Sequence, residues 1–431
     1  MSIGLAALAH QEKLNTQTFK KGPDFIDPSW LNAASNNPCY NLDFNTMSRD
    51  EIKDLYNSKS KNSDFTVIEG TKGLFDGVAI DGSDSNAALA KIIKTEVVLI
   101  IDCQGITRGI APLLNGYRSF DKQLNLTKVI LNNVSNTRHE DKLICSIKEY
   151  TDFKCYGAIP KINDIIDERH LGLVPAFQHD NRKKILATLR NNLKSCIEYK
   201  KLIPAPKKNK FLINKVRSNN KTRFTIGVAS DQAFGFYYPD DIEKFKDLGC
   251  KIKKINFIKD KYLPNIDGLI IGGGFPETVA EKLESNQSMK SSLKKAIESN
   301  LPVYAECGGL MYLCKYIEFH GRKRKMCNVL DINVKMNAEP IGRGLTVLVP
   351  INHPWKLGSV KIPAHEFHYS SLEFNKKKYN FAYKLSRGYG INGKQDGLMY
   401  KNVIASYSHL RSTQNFQWVE SFLNFIDNHH G

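Results

Sequence analysis

Short apolar runs alternate with stretches of helical periodicity along the whole chain. In the first half the runs are 65–69, 96–102, 128–134 and 155–159; in the second they include 224–229, 268–271, 302–305 and 402–407. Amphipathic segments lie between them. Residues 181–199 carry Ile185, Leu189, Leu193 and Ile197 on one helical face, and 239–248 is followed by Gly249, a residue suited to closing a helix. Apolar strands separated by helices predict α/β architecture, here two doubly wound domains with mainly parallel sheets. Ligand sites in such sheets gather beyond the carboxyl ends of the strands. The residues that follow each apolar run are therefore where chemistry is expected.

A length of 431 residues suits two or three domains. Periodicity fades over 200–222, where prolines and a basic run follow a good helix, so the expected division is a first domain over 1–199, a basic linker over 200–222 and a second domain over 223–431. The formal charge of +18 is concentrated: 200–223 holds nine basic residues and no acid, 322–325 adds four and 376–378 three. None of these runs interleaves aromatics or matches a nucleic-acid motif, so they read as solvated linker and loops, with no nucleic-acid partner. The longest purely aliphatic run, 97–101, is far short of the ~20 residues of a spanning helix. Leu5 to Ala9 has no basic segment before it, so neither membrane nor export is expected. Nine cysteines without a C-x-x-C pair fit reduced thiols in a cytoplasm.

One cysteine has unusual neighbours. PVYAECGGLM (302–311) places Cys307 directly after a strand, with two glycines and a helical pattern behind it. That is the layout of a nucleophile elbow: a sharp turn projects the side chain, and the helix start favours a thiolate and offers N–H groups to an oxyanion. Alone it is also compatible with a buried cysteine at a strand end. IGGGFPE (271–277) supplies a second Gly-rich turn after a strand, and NVIASYSH (402–409) ends a late strand on His409. A Cys and a His far apart in sequence form the usual activated-thiol pair.

AECGGLMYL, GGGFPE and SYSHL, with AFGFYYPDD (233–241) and HEFHYSSLE (365–373), resemble the class I glutamine amidotransferase domain in the form found in cobyrinic and hydrogenobyrinic acid a,c-diamide synthases. The resemblance implies that Cys307 attacks the glutamine amide and His409 is its base. Gly308 and Gly273 or Gly274 would be oxyanion donors. His365 and His368 are the competing bases. Typical class I amidotransferases carry Glu two residues after the histidine. This family commonly shows His there, and here the residue is Arg411, so a Cys–His dyad is implied.

In the first half, FKKGPDFIDP (19–28) and VIEGTKGLFDG (67–77) are dense in turn formers and carboxylates at strand ends. Carboxylates so placed suit Mg²⁺ shared with nucleotide phosphates, and equally suit capped turns. Both segments resemble the synthetase domain of the same family, as do NLD (41–43), VLIIDCQG (98–105), VILNNVS (129–135) and ERHLGLVPA (168–176). The resemblance thus runs over nearly the whole chain. It implies a dethiobiotin-synthetase-like P-loop domain that uses ATP to phosphorylate a corrinoid carboxylate, which ammonia from L-glutamine then attacks. By carry-over Asp24, Glu69 and Asp76 are catalytic, with Glu69 and Asp76 holding Mg²⁺. Lys20 faces phosphate or carboxylate, Asp27 is a further substrate- or nucleotide-binding residue, Ile26 borders the macrocycle, and Asn132 sits near the adenine.

The family's G-x-x-x-x-G-K-S/T loop and the strand before it are not seen. The chain opens at MSIGLAALA, which resembles the helix after that loop, and GYGINGKQ (388–395) ends in Gln and reads as an ordinary loop. The expectation is a synthetase domain truncated by one strand and one loop, with an upstream start. Two other readings stay open: a nickel-sirohydrochlorin diamide synthase, and a ligase-dead glutaminase or partner-binding subunit. A homodimer is also left open.

Overall fold

The structure, a computed structural model, describes residues 1–162, 166, 168–169, 172–205, 222–358, 360–375 and 378–429. It divides into two compact units, Met1–Ile213 and Asn214–Gly431. Most of the expected basic linker, and parts of the 168–176 and 376–378 segments, lie outside the described residues. The helix expected over 181–199 runs Arg182–Cys196; Ile197 leaves it to bridge Gly157, and a short turn of helix follows over Tyr199–Leu202.

The first unit is built on two parallel three-stranded sheets. Strand β1 (Thr16–Lys21) lies between β2 (Cys39–Leu42) and β3 (Phe65–Glu69), whereas β5 (Lys128–Val134) lies between β4 (Val98–Asp102) and β6 (Lys154–Pro160). Helices α1 (Ser2–Gln11) and α2 (Ile26–Ser35) cover the first sheet, where Phe19 and Trp30 are fully buried. Among the described residues β3 pairs only with β1, and β4 only with β5. A cavity of about 620 Å³ lies between β3 and β4, lined by all of β3, by Val98, Leu99, Ile100 and Ile101, and by Met1, Ser2 and Leu5. Ile100 is 43% exposed, an unusual state for an aliphatic side chain in a parallel strand.

A nine-stranded sheet organises the second unit. Its parallel half contains β7 (Thr225–Ala229), β8 (Lys251–Ile255), β9 (Gly268–Ile271) and β10 (Val303–Glu306). It is extended by β11 (Gly342–Pro350), β12 (Ile362–His368), β13 (Asn380–Arg387), β14 (Gln395–Tyr400) and β15 (Val403–Ser406). The order is β8-β7-β9-β10-β15-β14-β13-β11-β12, parallel through β15 and antiparallel beyond it. The antiparallel half is more than the apolar runs predicted, because its strands alternate polar and apolar residues. A smaller four-stranded sheet joins Arg322–Lys325, Tyr316–Phe319, Ile332–Met336 and Ser370–Phe374. The helix predicted over 239–248 is α3 (Pro239–Asp247), and Gly249 beyond it has φ +83°. No described helix is long and apolar enough to cross a membrane.

The 388–395 segment is the turn between β13 and β14, as its sequence suggested. The N–H groups of Tyr389 and Gly390 donate to the buried Glu366 carboxylate at 2.6 and 2.7 Å, so its small anion cradle is already filled by a side chain.

Candidate active site

Cys307 stands between β10 and α4 (Gly308–Leu313), with φ +47° and ψ −102°. A non-glycine residue held in that region marks a strained turn of the nucleophile-elbow kind. Two backbone bonds fix it: Cys307 N–H donates to the Ser406 carbonyl of β15 at 2.7 Å, and Met311 N–H donates to the Cys307 carbonyl at 3.1 Å. The side chain is 7% exposed. All nine cysteines are free. Burial pushes the thiols of Cys39, Cys103, Cys155, Cys250, Cys314 and Cys327 upward, as expected of inert core residues.

His409 follows β15, the strand next to β10, and so returns to the cysteine across 102 residues of chain. Its ring is buried and hydrogen-bonds with Cys307. Its Nδ1 lies 3.0 Å from Glu306 Oε2. Burial alone would lower its pKa, but the bonds to Cys307 and Glu306 and the charges of both outweigh that and raise it to about 10. His365 stacks on His409, whose backbone N–H donates to the His365 carbonyl at 2.8 Å. Burial, then the charges of His409 and Arg411, hold His365 well below the usual range and therefore neutral. His368 stacks on Tyr407 with centroids 3.7 Å apart, and its Nδ1 lies 2.9 Å from the Ser370 carbonyl.

The Gly-rich turn after β9 is shaped by its neighbours. A Cβ on Gly273 would stand 2.6 Å from His409 Cε1, and Gly274 has φ +152°, accessible to glycine. Gly308 packs against Gly274, since a Cβ there would lie 2.9 Å from the Gly274 carbonyl oxygen and 3.2 Å from its nitrogen. The elbow and this turn thus bring Gly273, Gly274 and Gly308 together beside Cys307 and His409. Arg411 turns to Asp240, with Nε and Nη2 at 3.1 and 2.8 Å from Oδ2, and its guanidinium lies over the Tyr238 ring.

Glu306 is the residue that sequence reasoning passed over. It sits in the quoted AECGG string, but nothing in the string says where the side chain points. The elbow decides that.

In the first unit the residues singled out from the sequence fall into two groups. Lys20, at the end of β1, is 4% exposed, and its Nζ lies 2.6 Å from Asp27 Oδ2, 3.7 Å from Asp24 Oδ2 and 3.6 Å from Glu69 Oε2. Burial opposes the ammonium, yet Glu69, Asp27 and Asp24 together raise its pKa. Asp24 Oδ1 accepts the N–H groups of Ile26 and Asp27 at 2.8 and 3.3 Å. Burial and the Asp27 charge, against Lys20, push the Asp24 carboxyl up to about 7. Burial likewise raises Glu69, whose Oε2 is buried with no hydrogen-bond partner.

Asp76 and Asn132 are placed otherwise. Asp76 is exposed in the loop after β3 and closes its own turn, accepting Gly73 N–H at 3.0 Å. Asn132 is half-buried near the end of β5, and its carbonyl accepts Cys103 N–H at 2.8 Å. Among the described residues no three His, Cys, Asp or Glu side chains are grouped to hold a metal. Mg²⁺ commonly takes only one or two protein carboxylates beside phosphate and water. Glu69 Oε2, without a hydrogen bond though 3.6 Å from Lys20 Nζ, fits one such ligand, and the exposed Asp76, hydrogen-bonded through Oδ2, is the second carboxylate in question.

A thiol on a strained elbow, with a buried histidine beside it on a sheet of this topology, defines the second unit as a glutamine amidotransferase domain. Residues 225–416 match the CobB/CobQ-like glutamine amidotransferase domain, and 20–169 match an AAA domain, a P-loop type. The chain belongs to the cobyrinate a,c-diamide synthase family. It is 35% identical to the cobyrinate a,c-diamide synthase of Magnetococcus marinus, over 99% of this chain and 93% of that protein. It is also 35% identical to that of Methanobrevibacter smithii, over 93% and 90%. A solved glutamine amidotransferase is 20% identical, spans 47% of this chain and 98% of its own, and superposes with a TM-score of 0.35, too low to bear on the site.

Proposed function

We propose that the chain is a glutamine- and ATP-dependent ligase that amidates the a and c carboxylates of cobyrinic or hydrogenobyrinic acid in cobalamin biosynthesis. Family membership supports the substrate class. The observation that carries the glutaminase half is the hydrogen bond between Cys307, on its strained elbow, and buried His409.

In this reading His409 takes the Cys307 proton, and Sγ attacks the side-chain amide carbon of glutamine. N–H groups of Gly308 and of Gly273 or Gly274 receive the oxyanion. The C–N bond breaks as His409 returns the proton to the leaving nitrogen, releasing ammonia. Water then hydrolyses the thioester to glutamate, and the thiol is restored.

The amidating half belongs to the first unit. A substrate carboxylate takes the γ-phosphoryl group of ATP, ammonia attacks the acyl phosphate, and phosphate leaves as the amide forms. Lys20, held among Asp24, Asp27 and Glu69, is the cation available to a phosphate or a carboxylate. Asp24, Glu69 and Asp76 are the catalytic candidates, Ile26 borders the macrocycle, and Asn132 is the candidate adenine neighbour. Glu69 and Asp76 are the residues to hold Mg²⁺, which would neutralise phosphate charge when bound.

The deciding experiment is Cys307→Ala assayed for glutamate release from glutamine. Release at background level is expected. Release at the wild-type rate would refute the nucleophile and, with it, this reading.

A further inference from the structure

We propose that Glu306 is the positioning residue of the glutaminase site, the carboxylate that fixes His409 in the tautomer able to accept the Cys307 proton. The inference deepens the assignment of Cys307 and His409 made above and rests on it.

The geometry comes from the elbow. Successive side chains of a strand point to opposite faces, and Glu306 is the last residue of β10. Cys307 breaks the alternation with its positive φ, so two consecutive residues both reach one imidazole. Glu306 takes Nδ1, which leaves Nε2 for the thiol. An ionised carboxylate only accepts hydrogen bonds, so Nδ1 must carry hydrogen. Nε2 then presents a lone pair to the thiol in the neutral ring and a proton in the cation. Both states are needed in turn, first to take the thiol proton and then to give it to the leaving ammonia.

The carboxylate is itself held for this task. Oε1 accepts the Tyr304 hydroxyl at 2.7 Å and the Leu410 N–H at 2.9 Å, and Oε2 is directed to His409. Tyr304 is fully buried, and burial together with the Glu306 charge raises its hydroxyl pKa well above the ordinary value, so it stays a donor. Leu410 is next to His409 in sequence. One carboxylate therefore ties both the ring and the backbone beside it to the strand that carries the nucleophile. The other ionisable groups around the ring do not compete. His365 is stacked and neutral, and Arg411 is paired with Asp240.

A bond to Leu410 could make Glu306 a purely structural tie, so the test must read the ring. Glu306→Gln keeps an acceptor for Tyr304 and Leu410 but turns an amide N–H toward Nδ1, forcing the proton onto Nε2. With the full-length protein and glutamine, we expect kcat to fall by about 10²–10⁴-fold, with KM within about threefold because the substrate contacts are untouched. The alkaline limb of kcat/KM should move to lower pH by about one unit or more, since His409⁺ loses its counter-charge. A folded Glu306→Gln with wild-type kcat and an unmoved alkaline limb would overturn the proposal.

Should that variant not fold, nitrogen NMR of histidine in the wild-type chain decides, with His409 identified by the resonance lost in His409→Asn. A proton that stays on Nδ1 as the ring loses its charge at alkaline pH, with Nε2 giving up its own, is expected, and loss of the Nδ1 proton instead would overturn the proposal. Glutamate release by Cys307→Ala would instead refute the underlying assignment, a result that neither Glu306 measurement can produce.

Discussion

His365 and His409 lie with ring centroids 5.0 Å apart and planes 20° from parallel, tied by the backbone bond from His409 to His365. Two imidazolium ions could not share that space, and the surroundings choose between them. His409 has Glu306 and Cys307, whereas His365 has burial and the Tyr238 hydroxyl 3.4 Å from its Nδ1. His409→Gln should therefore lower glutaminase kcat by about 10³-fold or more, and His365→Gln by about tenfold or less. Steady-state glutamate release for the two variants checks the ordering. Equal losses would show that the pair acts as a unit.

Gly273 gives a steric test of the same ring. Its absent Cβ is what lets His409 Cε1 approach so closely. Gly273→Ala should displace the imidazole and reduce kcat by about 10²-fold. Circular dichroism should be unchanged, because the backbone there needs no positive φ. Glutaminase kinetics alongside the spectrum measure both.

Arg411 invites the idea that a glutamate at this position would complete a triad. The structure predicts the opposite. Arg411 is 1% exposed and pairs with Asp240, while Asp241 next to it is raised by burial and by the Asp240 charge. Arg411→Glu would gather three carboxylates where a cation now sits. Breaking a buried pair in this way costs about 3–5 kcal/mol. Denaturant unfolding should register that loss, with no gain in activity.

Asp24 makes stability depend on pH. Its carboxyl is pushed up to about 7, whereas an unfolded aspartate titrates near 3.9. Between those values the folded chain holds a proton that the unfolded chain has lost, so this group's contribution falls as pH rises. Asp24→Asn keeps the Oδ1 acceptor for Ile26 and Asp27 but carries no charge. It should be more stable than wild type at pH 8, on the order of 1 kcal/mol after allowance for partial exposure, with the difference gone near pH 4. Thermal unfolding at the two pH values reads it directly. In amidation assays the same variant should lose activity while glutamine hydrolysis continues.

Much of the fold was legible because parallel strands buried on both faces leave continuous apolar runs. The runs at 65–69, 128–134 and 268–271 coincide with β3, β5 and β9. The antiparallel strands β11 to β14 were not, since half-exposed strands dilute the apolar signal with residues such as Arg343, Lys384 and Gln395. Cys307 and His409 stood out by their place after apolar runs. Glu306 did not, because its role depends on a backbone angle one residue later. Asp76 was legible only through the family resemblance, since a carboxylate three residues after a glycine also closes an ordinary turn, as its bond from Gly73 N–H shows.

The cavity between β3 and β4 has a consequence for the amide protons of the first unit. In a strand paired on one side only, the N–H groups directed to the other side lack ladder partners. Alternate amides of β3 and β4 should therefore exchange with solvent deuterium at loop-like rates, while those of β1 and β5, paired on both sides, are slow. Strands near the middle of a domain normally form its slowest-exchanging part. Here the exchange map would show a seam of rapid labelling running beside the acidic residue at the end of β3, while the apolar cluster of Leu8, Ile130, Ile159 and Leu193 still ties the two sheets together.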